Sequence, residues 1–213
     1  MLEPEKIRNR NLAGPLINAL QSRNMEAQFC ETKEEALKAA LDLIPEGSVV
    51  SWGGVQSAHQ IGLIEALKAG NYTTLDREGS SDPAEKKAIE NRVFTDCDYY
   101  LVSANGMSEN GVMVNVDGNS NRVSALAYGP KHVIVIVGMN KVVHTEEDAY
   151  RRAKYVAAPI NAQRFGLDTP CAKTGKCMDC QHEQCICCEI LITRYSRHTG
   201  RIKVILVNED LGF

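Results

Sequence analysis

The stretch from Tyr99 to Gly138 reads YYLVSANGMSENGVMVNVDGNSNRVSALAYGPKHVIVIVG and gives the strongest indication of the fold. It opens with the apolar run Tyr99–Ser103 and closes with His132–Gly138, the most apolar run in the chain. The closing run is rich in β-branched residues and too short for a helix of its own. We therefore expect two strands of the hydrophobic core here.

Between these two runs the chain is dense in asparagine, aspartate and glycine. The residues are Asn105, Asn110, Asn115, Asp117, Asn119, Asn121 and Arg122, with Gly106, Gly111 and Gly118 among them. Asparagine and aspartate tolerate the left-handed backbone region and glycine adopts it freely, so the pattern predicts several tight turns at a strand end. Loops of this kind often carry binding residues. A solvated hairpin over residues 106–111 followed by a plain turn, with no function, explains the same pattern.

Composition limits the classes of protein. The chain has 213 residues, 44% of them hydrophobic, and a net charge of −3. This size predicts one domain spanning residues 1–213, and the charge gives no reason to expect nucleic acid or an acidic membrane surface as a partner. The N-terminal helical segment, residues 1–25, has no apolar run long enough for a signal peptide or a membrane span. We therefore expect a cytoplasmic protein.

The order of elements predicts an α/β fold. Residues 4–24 have helical periodicity, which the Gly14-Pro15 pair should break or kink. Short apolar strands then alternate with helices, an order typical of a mainly parallel sheet with helices on both faces. The final runs EILITRYS and RIKVILVNED predict two strands joined as a hairpin at residues 198–200.

A glycine pair follows the predicted strand Ser48–Trp52. Gly53 and Gly54 lead directly into a helical pattern, QSAHQIGLIEALKAG. A strand, two glycines and a helix N-terminus would place free N–H groups and a positive dipole end at the sheet edge, which suits a phosphate or carboxylate. A tight turn needs paired glycines too, and the nearby His59 is typical of a surface or capping residue.

The cysteine-rich loop, residues 170–189, contains six of the eight cysteines, in PCAKTGKCMDCQHEQCICCE. In a reducing cytosol such a cluster favours metal binding over stable disulfides. Cys177 and Cys180 have a chelating spacing, Cys171 precedes them, and three more cysteines follow. Free surface thiols, a redox disulfide between Cys177 and Cys180, and His182 in place of one sulfur are alternatives.

Several long motifs together resemble the LUD-domain, or lactate-utilisation, family. They are SWGG, NxxxxxGxxVNxDGxxNRVxA, GPKHVIVIVGxNKVV, AAPxNAxRxGLxTPCAKTGKCxDC and ILVNEDLGF, and they extend over residues 10–213. The resemblance implies a three-layer α/β/α sandwich with a mainly parallel sheet, similar to sugar-phosphate isomerase and CoA-transferase folds. It also implies a link to oxidation of L-lactate to pyruvate, where relatives are parts of an iron–sulfur-containing complex.

The resemblance also implies site residues. Those for ligand binding are Trp52, Gly53, Gly54, Asn105, Asn115 and Asn121. Those for a metal are Cys171, Cys177, Cys180 and Cys187. In this scheme Arg122 pairs an anionic group while Glu109 or Asp117 acts as general base, and Glu109 would correspond to the catalytic glutamate of CoA transferases. The chain departs from the family where Arg-Ile-Cys-Asn is expected, because residues 185–188 read CICC.

Two classes of function remain open from the sequence. In the first, the protein is an accessory or redox subunit in lactate (2-hydroxy acid) utilisation whose cysteines hold an iron–sulfur cluster or zinc. In the second, it is an enzyme on a phosphorylated or CoA-linked small molecule with a structural zinc. A third hypothesis is a binding module that is stabilised by a metal ion and catalyses no reaction. The expected partners are a small anionic metabolite, other lactate-utilisation subunits and further copies of the same chain.

Overall fold

The two apolar runs of the central stretch are adjacent parallel strands in the middle of a six-stranded sheet. In the computed structural model, which describes residues 1–213, ten strands are formed: β1 (Glu26–Cys30), β2 (Val49–Trp52), β3 (Thr73–Leu75), β4 (Tyr99–Val102), β5 (Gly106–Ser108), β6 (Met113–Asp117), β7 (His132–Gly138), β8 (Val142–Val143), β9 (Glu189–Thr193) and β10 (Ile202–Val207). The large sheet has the order β1-β10-β7-β4-β2-β3. All of its neighbouring strands are parallel.

Helices cover both faces of this sheet. They are α1 (Glu3–Ser22), α2 (Lys33–Asp42), α3 (Gln56–Gln60), α4 (Leu63–Ala69), α5 (Pro83–Thr95), α6 (Asn121–Ala127), α7 (Glu146–Arg152), α8 (Ala158–Arg164) and α9 (Pro170–Thr174). Residues of α1, α5 and α6 pack in one core with β4, β7 and β10. Residues of α2, α3 and α4 pack in a second core on the opposite face. The predicted three-layer α/β/α sandwich is thereby confirmed. None of the helices combines the length and apolar character needed to cross a lipid bilayer.

A smaller sheet, β8-β5-β6-β9, extends from the carboxyl side of the large one. The hairpin predicted after the first central strand is present as β5 and β6, which pair antiparallel. Its strands are entirely buried rather than solvated. The backbone of Ala149 in α7 packs against Gly106 so closely that no side chain fits there. The hairpin is therefore a packed element of the core.

Of the break or kink predicted at Gly14-Pro15, the break is absent, because helix α1 is continuous through Pro15. Leu16 and Leu20, on the face of the helix toward the sheet, are fully buried. Burying one leucine contributes about 1.5–3 kcal/mol, so two of them offset the roughly 3 kcal/mol that an internal proline costs. The helical pattern after the glycine pair, in contrast, divides into α3 and α4 at Gly62, whose φ is +78°.

The final two strands do not form the predicted hairpin. β9 pairs antiparallel with β6 in the small sheet, whereas β10 lies between β1 and β7 in the large one. β10 is almost wholly buried and requires two strand partners, while β9 is half-exposed. Both are strands as predicted, but each has other partners than the hairpin would give. The apolar β10 is buried in the centre of the large sheet, and the more polar β9 lies at the edge of the small one.

Candidate functional site

A cleft of about 130 Å³ opens beside the glycine pair, at the carboxyl end of β2. Most of its lining is polar, and the charged or amide side chains are Arg77, Glu78, Asp117, Asn119, Asn121, Arg122, Asn161 and Arg164. Three guanidinium groups and two carboxylates line the cleft. Ligands of open α/β sheets bind at this edge, and guanidinium groups are typical anion-binding groups.

Gly53 and Gly54 form the floor on which two of the arginines lie. A Cβ at Gly53 would be 2.9 Å from Arg122 Cδ and 3.0 Å from the hydroxyl of Tyr100. A Cβ at Gly54 would be 3.3 Å from Nη2 of Arg164. The glycines are therefore required for close approach of side chains, and neither has a positive φ.

The helix that follows the glycines does not supply the positive end predicted for anion binding. α3 has five residues, and none of them lines the cleft. The positive charge at this edge of the sheet comes from arginine side chains contributed by other parts of the chain. The predicted place of the anion site stands as a hypothesis, but the source of its charge is different.

Asp117 holds the start of α6. Its Oδ1 accepts a hydrogen bond from Asn119 N at 3.1 Å, and its Oδ2 accepts from Arg122 N and Val123 N at 3.0 Å each. This helix was not predicted, because its first residues look like a turn. With three N–H donors on its carboxylate, Asp117 acts in the structure as the N-terminal anchor of α6 and so orients Arg122.

The guanidinium of Arg122 is fixed by hydrogen bonds on the side away from the cleft and has free donors on the side toward it. Its Nη2 donates to the carbonyl of Val116 and, at 3.4 Å, to Asn105 Oδ1. Its Nε lies 3.8 Å from Asp117 Oδ2, too far for a hydrogen bond. Nε and Nη1 thus keep donor capacity for a ligand. Asn105 itself is buried behind the cleft and also accepts from Val116 N at 3.0 Å.

Arg164 is the least satisfied cation of the cleft. It has no carboxylate partner; its Nε donates to Asn161 Oδ1 at 3.2 Å and its guanidinium lies 4.0 Å from the centre of the Phe165 ring. Burial lowers the pKa of Arg164, Glu78 raises it, and Arg122 lowers it further. By comparison, Arg77 is ion-paired to Glu90 at 2.6 Å.

The structure brings together five of the nine residues predicted for ligand binding or catalysis: Gly53, Gly54, Asp117, Asn121 and Arg122. Trp52 is 4% exposed and packs in the core. Glu109 lies apart, in the β5–β6 turn, paired with Arg8 at 3.0 Å and with His144 at 2.9 Å. The hydrogen bond that His144 donates to the Glu109 carboxylate raises the pKa of His144.

Arg77, Asn161 and Arg164 were missed from the sequence. A signal for two of them existed, since Asn161 and Arg164 are fixed positions of the motif AAPxNAxRxGL. They lie on α8, about 40 residues beyond the predicted loop. From the sequence alone, a charged residue on a helix is expected to face solvent.

A buried polar cluster lies behind the cleft. Lys141 Nζ donates to Ser103 Oγ at 2.9 Å and to Ser57 Oγ at 3.2 Å, and no carboxylate pairs with it. Burial, with Arg152 and Arg122 nearby, lowers the pKa of Lys141 to about 7. The amide of Asn115 donates to the Ser103 carbonyl at 2.6 Å, and its Oδ1 has no hydrogen-bond partner. The predicted ligand residue Asn115 therefore belongs to this interior cluster.

The four cysteines predicted as metal ligands line a single second cavity of about 180 Å³. They are Cys171, Cys177, Cys180 and Cys187, whereas Cys185 and Cys188 lie outside it. The thiols are spread around the cavity, because no three His, Cys, Asp or Glu side chains are grouped closely enough to hold one ion. Burial is the largest cause that raises the pKa of Cys187 to about 12, followed by the neighbouring cysteines, of which Cys185 is 3.5 Å away.

The cysteine-rich loop also forms one wall of the cleft. Ile186 lines the cleft, and a Cβ at Gly118 would be 2.9 Å from Ile186 Cα and 3.3 Å from the Cys185 carbonyl. Gly118 therefore lets the loop pack directly on the backbone at the end of β6. The arginine cleft and the cysteine cavity are neighbours that share this loop.

Comparisons with known proteins agree with this architecture. The family model described as the LUD domain matches residues 15–207. The crystal structure of a DUF162 family protein from Deinococcus radiodurans is similar with a TM-score of 0.51 and 14% identity, covering 93% of this chain and 98% of that one. At this identity the likeness concerns the fold.

A partial likeness is found to eIF2B delta from Chaetomium thermophilum, with a TM-score of 0.35 and 15% identity over 55% of this chain and 52% of that one. No protein of curated function matches the sequence.

Proposed function

Because this chain belongs to the LUD-domain family, we propose that it binds a small anionic metabolite in the arginine cleft and acts as an accessory or redox subunit in 2-hydroxy acid (lactate) utilisation. The observation that carries the proposal is the pair Arg122 and Arg164, which lie side by side over Gly53 and Gly54. Arg122 keeps free donors and Arg164 forms no direct ion pair with a carboxylate. A carboxylate bound between them would receive charge-assisted hydrogen bonds from both.

The size and lining of the cleft support a compact ligand. Its volume, about 130 Å³, is well below the roughly 300–1,000 Å³ of sites for drug-sized molecules. A three-carbon hydroxy acid fits this space with its carboxylate on the arginines. The amides of Asn119, Asn121 and Asn161, which also line the cleft, can hydrogen-bond its hydroxyl group.

We propose further that the four cysteines of the second cavity hold an iron–sulfur cluster rather than a single zinc ion. Four sulfurs around one zinc lie about 3.8 Å from each other, as tetrahedral geometry with Zn–S bonds of about 2.3 Å requires. The cavity that the four thiols line together with other side chains has about 180 Å³, which is larger than one ion needs and leaves room for a cluster of several atoms. Such a cluster would supply electron transfer next to the cleft.

Ligand binding tests the first part. Calorimetric titration with L-lactate, pyruvate and inorganic phosphate should give saturable binding of a carboxylate to the wild type and a loss of about tenfold or more in Arg164→Ala. Lys38→Ala, which removes one charge from exposed α2, is the matched control and should bind normally. Binding of phosphate without either carboxylate would favour the alternative enzyme on phosphorylated substrates.

Metal content tests the second part. Protein purified without oxygen should contain iron and sulfide and should show a broad absorption band at about 400 nm. Cys171→Ser should abolish this absorption, while Cys188→Ser, outside the cavity, should keep it. Stoichiometric zinc in a colourless sample would contradict the cluster and leave the loop a structural site.

A further inference from the structure

Strand β9 has a free edge. Its only backbone partner is β6, and no other element forms backbone hydrogen bonds with residues 189–193. Natural proteins protect such edges with proline, lysine, bulges or a covering element, because an open edge pairs with another strand. The sequence EILIT contains none of the protective residues except Glu189 at its first position. This edge is therefore able to accept a strand.

The surface beside this edge is open and partly apolar. A groove of about 310 Å³ runs along residues 191–193 of the strand and the segment that follows it, and is bordered by Leu126 and Ala127 of α6. Ile192 is 43% exposed, Ile190 is 36% exposed, and Tyr195 just after the strand is 55% exposed. Apolar side chains on an open strand edge are a typical interaction surface.

We propose that β9 pairs antiparallel with β9 of a second copy of this chain, so that the two small sheets join into one continuous sheet. Charge complementarity selects a second copy as the occupant. Glu189 at the start of the strand has no ion pair, and neither do Arg194 and Arg197, which follow the end of the strand. A two-fold axis through the strand pair places the acidic end of each copy beside the basic end of the other.

The two-fold symmetry also restricts the register. Residues opposite each other must point to the same face of the sheet, so each residue pairs with one an even number of positions away. With Leu191 on the axis, Ile190 lies opposite Ile192 of the second copy. Glu189 then lies opposite Thr193 of the second copy. Both apolar residues are covered and both contacts occur twice in the dimer.

Thr193 offers a matched pair of variants for the test, because it lines neither the cleft nor the cysteine cavity. Thr193→Lys places a cation opposite Glu189, and Thr193→Glu places an anion there. The double variant Glu189→Lys, Thr193→Glu reverses the pair. Sedimentation equilibrium of the full chain gives the dimer dissociation constant of each, and circular dichroism with thermal melts reports folding.

The wild type should be a dimer whose dissociation constant falls about tenfold in Thr193→Lys and rises about tenfold in Thr193→Glu. The double variant again places opposite charges at the two positions, so its dissociation constant should lie within about threefold of that of Thr193→Lys. A wild type that is monomeric at its highest soluble concentration would overturn the proposal. So would a dimer that responds equally to lysine and glutamate at residue 193, because charge opposite Glu189 would then be irrelevant. If Thr193→Glu fails to fold, the strengthening by Thr193→Lys still decides the question.

Discussion

A single methyl group at Gly53 should disturb anion binding without removing any charge. In Gly53→Ala the new Cβ would lie 2.9 Å from Arg122 Cδ, where ordinary contacts begin at 3.4 Å, so the arginine stem must retreat by about 0.5 Å. The guanidinium cannot follow freely, because Nη2 is bonded to the Val116 carbonyl and to Asn105. The methyl therefore forces Arg122 out of its position over the floor.

The magnitude follows from these contacts. Overpacking of this kind costs about 1–3 kcal/mol in the free energy of unfolding. A charge-assisted hydrogen bond contributes about 1.5–3 kcal/mol, so weakening the one from Arg122 should lower carboxylate affinity about tenfold. In Gly54→Ala the new Cβ would be 3.3 Å from the flexible end of Arg164, a shortfall of only about 0.1 Å. This variant should bind within about threefold of the wild type.

The assay is calorimetric titration of the best carboxylate, with urea unfolding of the same samples. Gly14→Ala is the matched control, because a Cβ there meets nothing within 4 Å. It should leave affinity unchanged and stabilise α1 by about 0.5–1 kcal/mol. A double-mutant cycle with Arg122→Ala completes the design, since the methyl should cost no further affinity once the arginine is truncated.

Three results would contradict this role of Gly53. Full affinity in Gly53→Ala would show that Arg122 does not contact the ligand or that its position is not set by the glycine. Equal losses in Gly53→Ala and Gly54→Ala would show that the distances over the floor do not decide binding. Additive losses in the double-mutant cycle would mean that the methyl acts through the Tyr100 hydroxyl, 3.0 Å away, rather than through Arg122.

Three further predictions concern residues around the cleft. Asp117→Ala should lower the free energy of unfolding by about 1–3 kcal/mol in urea, because three N–H groups lose their acceptor; a loss below about 0.5 kcal/mol would contradict its anchoring role. Lys141 has its pKa lowered to about 7 by burial, so the unfolded chain binds one more proton between about pH 7 and 10, and stability should rise with pH across that window. Lys141→Met should flatten that slope in unfolding measured at several pH values, and an unchanged slope would show that the buried amine is charged. Glu109→Gln should keep full carboxylate affinity in calorimetry because Glu109 lies outside the cleft. A tenfold loss of affinity would show that Glu109 takes part in ligand binding.

The strands of the sheet were predictable because their signal is local. Runs such as His132–Gly138 combine β-branched side chains with flanking glycines, and burial on both faces leaves no polar alternation. The partner of each strand was not predictable by the same means. β9 and β10 are close in sequence, yet they belong to different sheets and differ in burial.

The loops of the site were predictable and the complete cleft was not. The density of asparagine and glycine marked the end of β6, but the helix α6 depends on Asp117, a capping residue several positions before it. The two glycines were recognised, though for a helix dipole and not for the arginines that lie on them. Arg164 comes from a distant helix, and only tertiary structure shows that its guanidinium lies over Gly54 without a direct ion pair.

The central claim is that an anion binds between Arg122 and Arg164 above the glycine floor. A crystal structure of the protein grown with saturating carboxylate ligand tests it most directly. We expect density for the ligand carboxylate within hydrogen-bond distance of both guanidinium groups, with Gly53 and Gly54 beneath it. Ligand bound instead at the start of α3, or bound with Arg122 and Arg164 turned away, would contradict it.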